Sequence, residues 1–142
     1  MRKAETSIKT DCVAAALRLG HWCEANHGNA YTRKGRSDVQ GATKDDSIAF
    51  YVELKVPGEL PTPDQAGYLL QISQRCKNAL IGYATSVDEF LRVIDRDRGV
   101  GLRLQQLAKL IEISRKGTKS KPARGHEYRR PNIALDSLDR TL

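Results

Sequence analysis

The run Ile48-Ala49-Phe50-Tyr51-Val52-Glu53-Leu54-Lys55 follows Gly35-Arg36-Ser37-Asp38-Val39-Gln40-Gly41 after a short polar turn. Both runs are typical of β-strands, in which successive side chains alternate between the two faces. Glu53 and Lys55 therefore share one face of the second strand, and Asp38 can meet them across the hairpin. Two carboxylates and a lysine on a basic protein suit a divalent cation that promotes attack on a phosphodiester.

The chemistry of that cation assigns a role to each residue. Mg²⁺ prefers carboxylate and carbonyl oxygens, so Asp38, Glu53 and the Leu54 carbonyl are the candidate ligands. Mn²⁺ accepts the same ligands and can substitute. Lys55 would orient the attacking water or stabilise the charged transition state. The alternative is a solvated strand edge with two ordinary surface charges, and the short acid…Glu-x-Lys pattern by itself favours that reading.

Further residues raise the specificity of this pattern, because the chain resembles the VRR-NUC family of virus-type replication-repair nucleases, within the PD-(D/E)xK superfamily. The resemblance runs from Glu5 to Ile94. Its motifs are Gly35-x-x-Asp38, Glu53-x-Lys55, Pro57-Gly58-Glu59-Leu60-x-x-x-x-Gln65 and Gly82-Tyr83-Ala84-x-Ser86-x-x-Glu89. One departure is Ser37, where the family usually has proline.

The resemblance implies an α/β fold with a restriction-endonuclease-like core, in which helices flank a mixed central sheet. It implies Asp38 and Glu53 as metal ligands and Lys55 as the catalytic lysine. It also implies Gln65 and Glu5 as further active-site residues that support them.

Gln65 and Glu5 each have a second interpretation. Thr62-Pro63-Asp64-Gln65 is a helix-capping box, and on local grounds capping is the better explanation of Gln65. The two roles are compatible, because this helix directly follows the catalytic strand. A first helix is predicted over Ala4–Ala25 and places Glu5 at the end of its buried apolar stripe, with Lys9 on the solvated face. Glu5 could equally be a first-turn residue that complements the helix dipole.

The length of 142 residues predicts one domain, and the formal net charge of +7 is unevenly distributed. Residues 1–114 are interpreted as the nuclease domain and residues 115–142 as a basic tail, with eight basic and three acidic side chains. The tail is either a clamp for a phosphate backbone or a solubilising end. Nucleic-acid contacts are predicted at Arg33, Lys34, Arg36, Arg115, Lys116, Lys119, Lys121 and Arg124.

The remaining composition favours a cytoplasmic protein of a bacterium or a phage-infected cell. No apolar run is long enough to span a membrane, and the N-terminus lacks a signal-peptide core. Cys12, Cys23 and Cys76 are scattered and predict reduced thiols. His21, Cys23 and His27 could form part of a zinc site, with Cys23 and His27 one helical turn apart, or they could mark the end of a helix.

The predicted order of elements is helix, two or three strands, helix, strand, helix, helix and tail, with a strand–helix–strand crossover after Glu53. Beyond the first helix and the hairpin, the sequence predicts a short strand at Ala30–Arg33, a helix at Pro63–Cys76, a strand at Asn78–Ala84, and helices at Ser86–Ile94 and Leu102–Ser114. The apolar side of the last helix, over Leu102–Ile113, is either core or a dimer face.

Together these observations predict a metal-dependent endodeoxyribonuclease that cuts branched DNA such as Holliday junctions. A homodimer would suit a four-way junction, which needs paired cuts. The alternatives are a flap nuclease or other DNA nuclease of the superfamily, including a sequence-specific one, and a non-catalytic nucleic-acid-binding subunit with the same fold. The preference for DNA over RNA follows from the resemblance alone.

Overall fold

The computed structural model describes residues 2–26 and 37–119, the side chains of residues 2–5 and 118–119 aside. It is a mixed α/β structure whose four strands are β1 (Trp22–Ala25), β2 (Val39–Ala42), β3 (Ala49–Leu54) and β4 (Leu80–Ala84). Its four helices are α1 (Arg2–Arg18), α2 (Pro63–Arg75), α3 (Val87–Val93) and α4 (Val100–Lys119). The predicted short strand at Ala30–Arg33 lies outside the described residues.

The strands form one sheet in the order β1-β2-β3-β4. The first two pairings are antiparallel, and β3 pairs with β4 in parallel through the crossover helix α2. One apolar cluster joins the sheet to α1 and α3, and a second joins it to α2 and α4. The predicted mixed sheet flanked by helices is therefore confirmed for the described residues.

Side-chain alternation along β3 divides its residues between the two clusters. Phe50, Val52 and Leu54 are buried in the cluster with α1 and α3, where the Phe50 ring meets that of Phe90 edge to face, with centroids 6.1 Å apart. Tyr51 packs in the opposite cluster with α2 and α4. Glu53 therefore lies on the face of the sheet that α2 covers.

The first helix is shorter than predicted, because it stops before a glycine. Gly20 has a positive φ of 91°, and the His21 N–H donates to the Ala16 carbonyl at 3.1 Å, which closes the helix end. The chain then enters β1 where a helix to Ala25 was predicted. Leu19 and Trp22, two large apolar residues within the range predicted as helix, are 54% and 55% exposed.

The last helix is longer than predicted and begins at Val100. Its residues Leu107, Leu110, Ile111 and Ile113 are buried in the cluster that α2 shares. The core interpretation is confirmed for these four residues, whereas Leu104 on the same helix is 40% exposed.

The direction of α4 follows from its positions at two points along β4. A cleft of about 530 Å³ lies at the beginning of β4. The cleft lies between Leu80 and the start of α4, where Val100 and Arg103 line it. Three residues further on, Gln106 contacts Tyr83. The helix therefore runs in the same direction as β4, from the cleft toward the end of the sheet at which Glu53 pairs with Tyr83.

Gln106 closes the outer edge of β4. Its Oε1 accepts the Tyr83 N–H at 3.1 Å, and its Nε2 donates to the Tyr83 carbonyl at 2.7 Å. The Gln106 side chain is 4% exposed. Its amide therefore satisfies the backbone groups that a neighbouring strand would otherwise bind.

We expect Gln106→Ala to lower the free energy of unfolding by about 2 kcal/mol, because it leaves buried backbone groups of Tyr83 without partners. The matched control is Gln105→Ala, since Gln105 is exposed on the same helix and its loss should cost under about 0.5 kcal/mol. Urea denaturation measures both. Equal effects of the two substitutions would contradict this account of the sheet edge.

Candidate metal and phosphate site

Asp38 lies at the point where β2 leaves its ladder with β3. Val39 pairs with Val52, so Asp38 lies opposite Glu53 at the next position along the hairpin. The Asp38 carbonyl accepts the Asn26 N–H at 2.7 Å, while its carboxylate Oδ2 accepts the Leu54 N–H at 2.8 Å. The side chain thus takes the place of a backbone acceptor, which fixes one of its two oxygens.

Glu53 is buried, with 1% of its surface exposed, and a residue of α2 holds it. Gln65 Nε2 donates to Glu53 Oε2 at 2.9 Å. The same amide completes the capping box, because Gln65 Oε1 accepts the Thr62 N–H at 2.8 Å. Gln65 therefore forms the predicted cap, and the same side chain contacts Glu53.

Lys55 extends β3 beyond Leu54, and its N–H donates to the Ala84 carbonyl of β4 at 2.9 Å. Only 8% of its surface is exposed. Within residues 2–26 and 37–119 the structure gives its ammonium group no hydrogen bond or ion pair. A sheltered lysine without a counter-ion in the described chain is unlike the solvated edge charge of the alternative interpretation.

Lys9 corrects the sequence prediction, which assigned it to the solvated face of α1. Its Nζ lies 3.6 Å from Asp38 Oδ1 and 3.4 Å from the Asn26 carbonyl, to which it donates. The Lys9 and Asp38 side chains are 22% and 21% exposed. The helix α1 therefore delivers a cation to Asp38, a contact that helical periodicity alone does not encode.

Asn26 is a second residue that the sequence did not single out. Its Nδ2 donates to the Ser37 carbonyl at 2.9 Å and also lies 3.4 Å from Gln40 Oε1. These bonds hold the backbone directly before Asp38. Asn26 thereby restrains the turn in which Ser37 replaces the family's usual proline.

Tyr83 lies beside Glu53 in the parallel pair of β3 and β4. Burial, and then the charge of Glu89, raises the pKa of the Tyr83 phenol, so this group stays protonated at neutral pH. The Glu89 Oε1 itself accepts the Thr85 N–H at 2.8 Å. Tyr83 therefore adds no negative charge next to Glu53.

The donor chemistry of this site fits Mg²⁺. In the described chain no three His, Cys, Asp or Glu side chains form a cluster, but Mg²⁺ commonly takes only one or two carboxylates and keeps several waters. Asp38 and Glu53 supply two carboxylates. The Leu54 N–H points to Asp38, and a strand residue projects its N–H and C=O to the same edge, so the Leu54 carbonyl lies on that side too.

Several predicted site residues fall elsewhere. Glu5 belongs to α1, but its side chain lies outside the described part of the chain, as do the side chain of Lys119 and the residues Arg33, Lys34, Arg36, Lys121 and Arg124. Arg115 and Lys116 are exposed on α4, and Lys116 Nζ lies 3.1 Å from Glu112. The hydrogen bond from Lys116 and the charge of Lys109 lower the pKa of Glu112.

The structure does not have the helical spacing on which the alternative zinc site was predicted. Cys23 lies in β1 and is buried in the cluster with α1, so the prediction that Cys23 and His27 lie one helical turn apart is wrong for Cys23. His21 Nδ1 accepts the Lys44 N–H at 2.9 Å, and His27 lies outside the described residues. Burial raises the pKa of Cys23 to about 11 and, with the nearby Cys23 and Asp11, that of Cys12 to about 12.

We expect only Cys76 to react quickly with a disulfide reagent at about pH 8 in the folded protein. Cys12 and Cys23 should react slowly, because their raised pKa values suppress the reactive thiolate. Cys76 is exposed, whereas Cys12 and Cys23 are buried. All three should react after unfolding in denaturant. Cys76→Ser should remove the fast phase, and a fast phase that survives this substitution would contradict the assignment.

We expect Gln65→Glu to destabilise the fold by about 1–3 kcal/mol at neutral pH, because it removes a donor and places a second carboxylate against Glu53. Like charges raise the pKa of one carboxyl in the folded state. The variant's deficit relative to wild type should therefore be small below about pH 4, where glutamate is protonated in the unfolded chain too. It should grow as the pH rises from there through that raised pKa.

Thermal unfolding of both proteins across this pH range measures the deficit. The matched control is Gln74→Glu, since Gln74 is exposed near the other end of α2. A deficit in Gln65→Glu that does not change with pH would contradict the close contact with Glu53.

Comparison of the chain with protein-family models, with curated protein sequences and with solved structures finds no match. The likeness to the VRR-NUC family therefore remains a resemblance of motif order and spacing. No described helix has the length and apolar character needed to cross a membrane. The geometry around Asp38 is the basis on which a function can be proposed.

Proposed function

We propose that this chain is a metal-dependent DNA endonuclease with a restriction-endonuclease-like core that cuts branched DNA. The observation that carries the proposal is the meeting of Asp38, Glu53 and Lys55 at one end of the sheet. The two acids come from adjacent antiparallel strands, and the lysine is sheltered beside them. A sheet end with a purely structural role would be more stable with apolar side chains at these positions, because sheltered charges are costly to desolvate.

The acidic pair would hold the metal ion. Asp38 Oδ2 is already fixed by the Leu54 N–H and Glu53 Oε2 by Gln65, so both carboxylates are oriented before any ligand arrives. When bound, Mg²⁺ would lower the pKa of a water molecule and offset negative charge on the phosphate. A binding-only subunit has less use for this pair, since carboxylates repel a polyanion unless a cation lies between them.

Lys55 would act on the phosphate. The residue is 8% exposed, and in such a sheltered position an electrostatic interaction is stronger than in bulk solvent. An oxygen that gains charge in the transition state is the group such a cation stabilises best.

The basic residues would hold the DNA backbone. The direction of α4 carries Arg115 and Lys116 toward the end of the sheet at which Glu53 lies. Most of the chain's excess positive charge belongs to residues 115–142, which continue from that helix. Such a cluster favours a phosphate backbone without reading its sequence.

A homodimer remains part of the proposal, because a four-way junction needs two cuts related by symmetry. The buried side of α4 does not provide the dimer surface, since it packs against α2. The proposed dimer surface therefore lies elsewhere on the chain.

The test is cleavage of a labelled four-way junction, with linear duplex, flap and single-stranded DNA as parallel substrates, in Mg²⁺, Mn²⁺ or EDTA. We expect paired cuts near the branch that EDTA abolishes. Asp38→Ala, Glu53→Ala and Lys55→Ala should each lose about a hundredfold or more in rate and retain junction binding in a gel-shift assay. The matched control is Lys77→Ala, because Lys77 is exposed at the opposite end of the sheet.

Each other outcome has a defined meaning. Full activity of any of the three site variants would contradict the assignment of that residue. Binding without cleavage in either metal would favour the non-catalytic subunit. Cleavage of flaps or duplex alone would keep the nuclease and reject the preference for junctions.

A further inference from the structure

The ion pair between Lys9 and Asp38 involves the carboxylate oxygen that the backbone does not engage. Asp38 Oδ2 accepts the Leu54 N–H at 2.8 Å. The other oxygen, Oδ1, faces Lys9 Nζ at 3.6 Å. A positive charge therefore already lies against the candidate metal ligand.

Lys9 is held there by more than its charge. Its Nζ also donates to the Asn26 carbonyl at 3.4 Å, and Asn26 in turn holds the chain on either side of Asp38. Both charged side chains are about one-fifth exposed, so solvent screens the pair only in part. The contact joins α1 to the turn that carries the candidate ligand.

We infer that Lys9 is a competing counter-ion for the divalent cation, so that metal binding at Asp38 must displace its ammonium group. The inference rests on the proposed metal site and adds a regulatory element to it. In the metal-free protein, Lys9 neutralises Asp38 and keeps its carboxylate in place. At low metal concentration the lysine holds the site, and at high concentration the divalent ion replaces it.

Metal binding at Asp38 would exchange one cation, the Lys9 ammonium, for another. A divalent ion gains the attraction of Asp38 but loses part of it to repulsion from the nearby ammonium, and it must also break the Lys9 contacts. Removal of the lysine charge should therefore strengthen metal binding. A lysine that merely positioned Asp38 would have the opposite effect, because its loss would disorder the ligand and weaken binding.

The test is Mn²⁺ binding to the full chain without DNA, measured by isothermal titration calorimetry at low salt. We expect Lys9→Met to bind Mn²⁺ on the order of tenfold more tightly than wild type. Lys9→Arg keeps the charge and should stay within about threefold of wild type. Lys77→Met makes the same change in net charge at the opposite end of the sheet and should leave the affinity within about twofold.

Two further measurements keep the result interpretable. Lys9→Gln is a second neutral variant, which should bind as tightly as Lys9→Met. The rise in thermal midpoint on addition of Mn²⁺ should be larger in both neutral variants than in wild type, because a ligand of the folded state stabilises it more, at a given concentration, the more tightly it binds. This readout does not depend on cleavage.

The outcomes separate the inference from the function on which it rests. Unchanged or weaker binding in the neutral Lys9 variants, with Asp38→Asn abolishing binding, would overturn the competition and leave the metal site intact. Mn²⁺ binding that Asp38→Asn does not affect would overturn the proposed metal site and the inference with it. Tighter binding in Lys77→Met as well would reduce the effect to net charge and would also overturn the inference.

Discussion

The hydrogen bond from the Leu54 N–H to Asp38 Oδ2 is the contact on which the site depends. Continuation of the β2–β3 register would pair the Leu54 N–H with the Ser37 carbonyl, but that carbonyl accepts Asn26 Nδ2 instead. A buried N–H left without an acceptor costs about 1–3 kcal/mol, and the aspartate supplies that acceptor from its side chain. The same bond that closes the sheet therefore orients a candidate metal ligand, which ties the geometry of the site to the stability of the hairpin.

The helix α2, which follows β3, extends this coupling between fold and site. Gln65 caps α2 through one end of its amide and holds Glu53 through the other. Because the cap fixes where the helix begins, it also fixes the distance from the helix to the sheet at Glu53. A change that loosens the helix start would loosen the acidic residue with it.

Local sequence rules predicted the elements whose boundaries are fixed by neighbouring residues. The capping residue Thr62 accepts the expected Gln65 N–H, and the alternation along β3 places Glu53 on the face that α2 covers. The end of α1 was missed, because the apolar pattern continues past Gly20 into a strand. Lys9 and Asn26 were missed for another reason. Their partners lie 29 and 11 residues away in the chain, so the contacts exist only after the sheet has formed.

The Gln106 contact has a consequence for self-association. Exposed strand edges recruit further strands, and proteins protect themselves by covering or blunting such edges. With both backbone groups of Tyr83 engaged by one side chain, β4 offers no continuous ladder to a second sheet. In the described part of the chain the opposite boundary of the sheet is β1, which carries the exposed Trp22. The two edges of the sheet therefore differ in their ability to pair with a further strand, because a helix of the same chain covers the β4 edge.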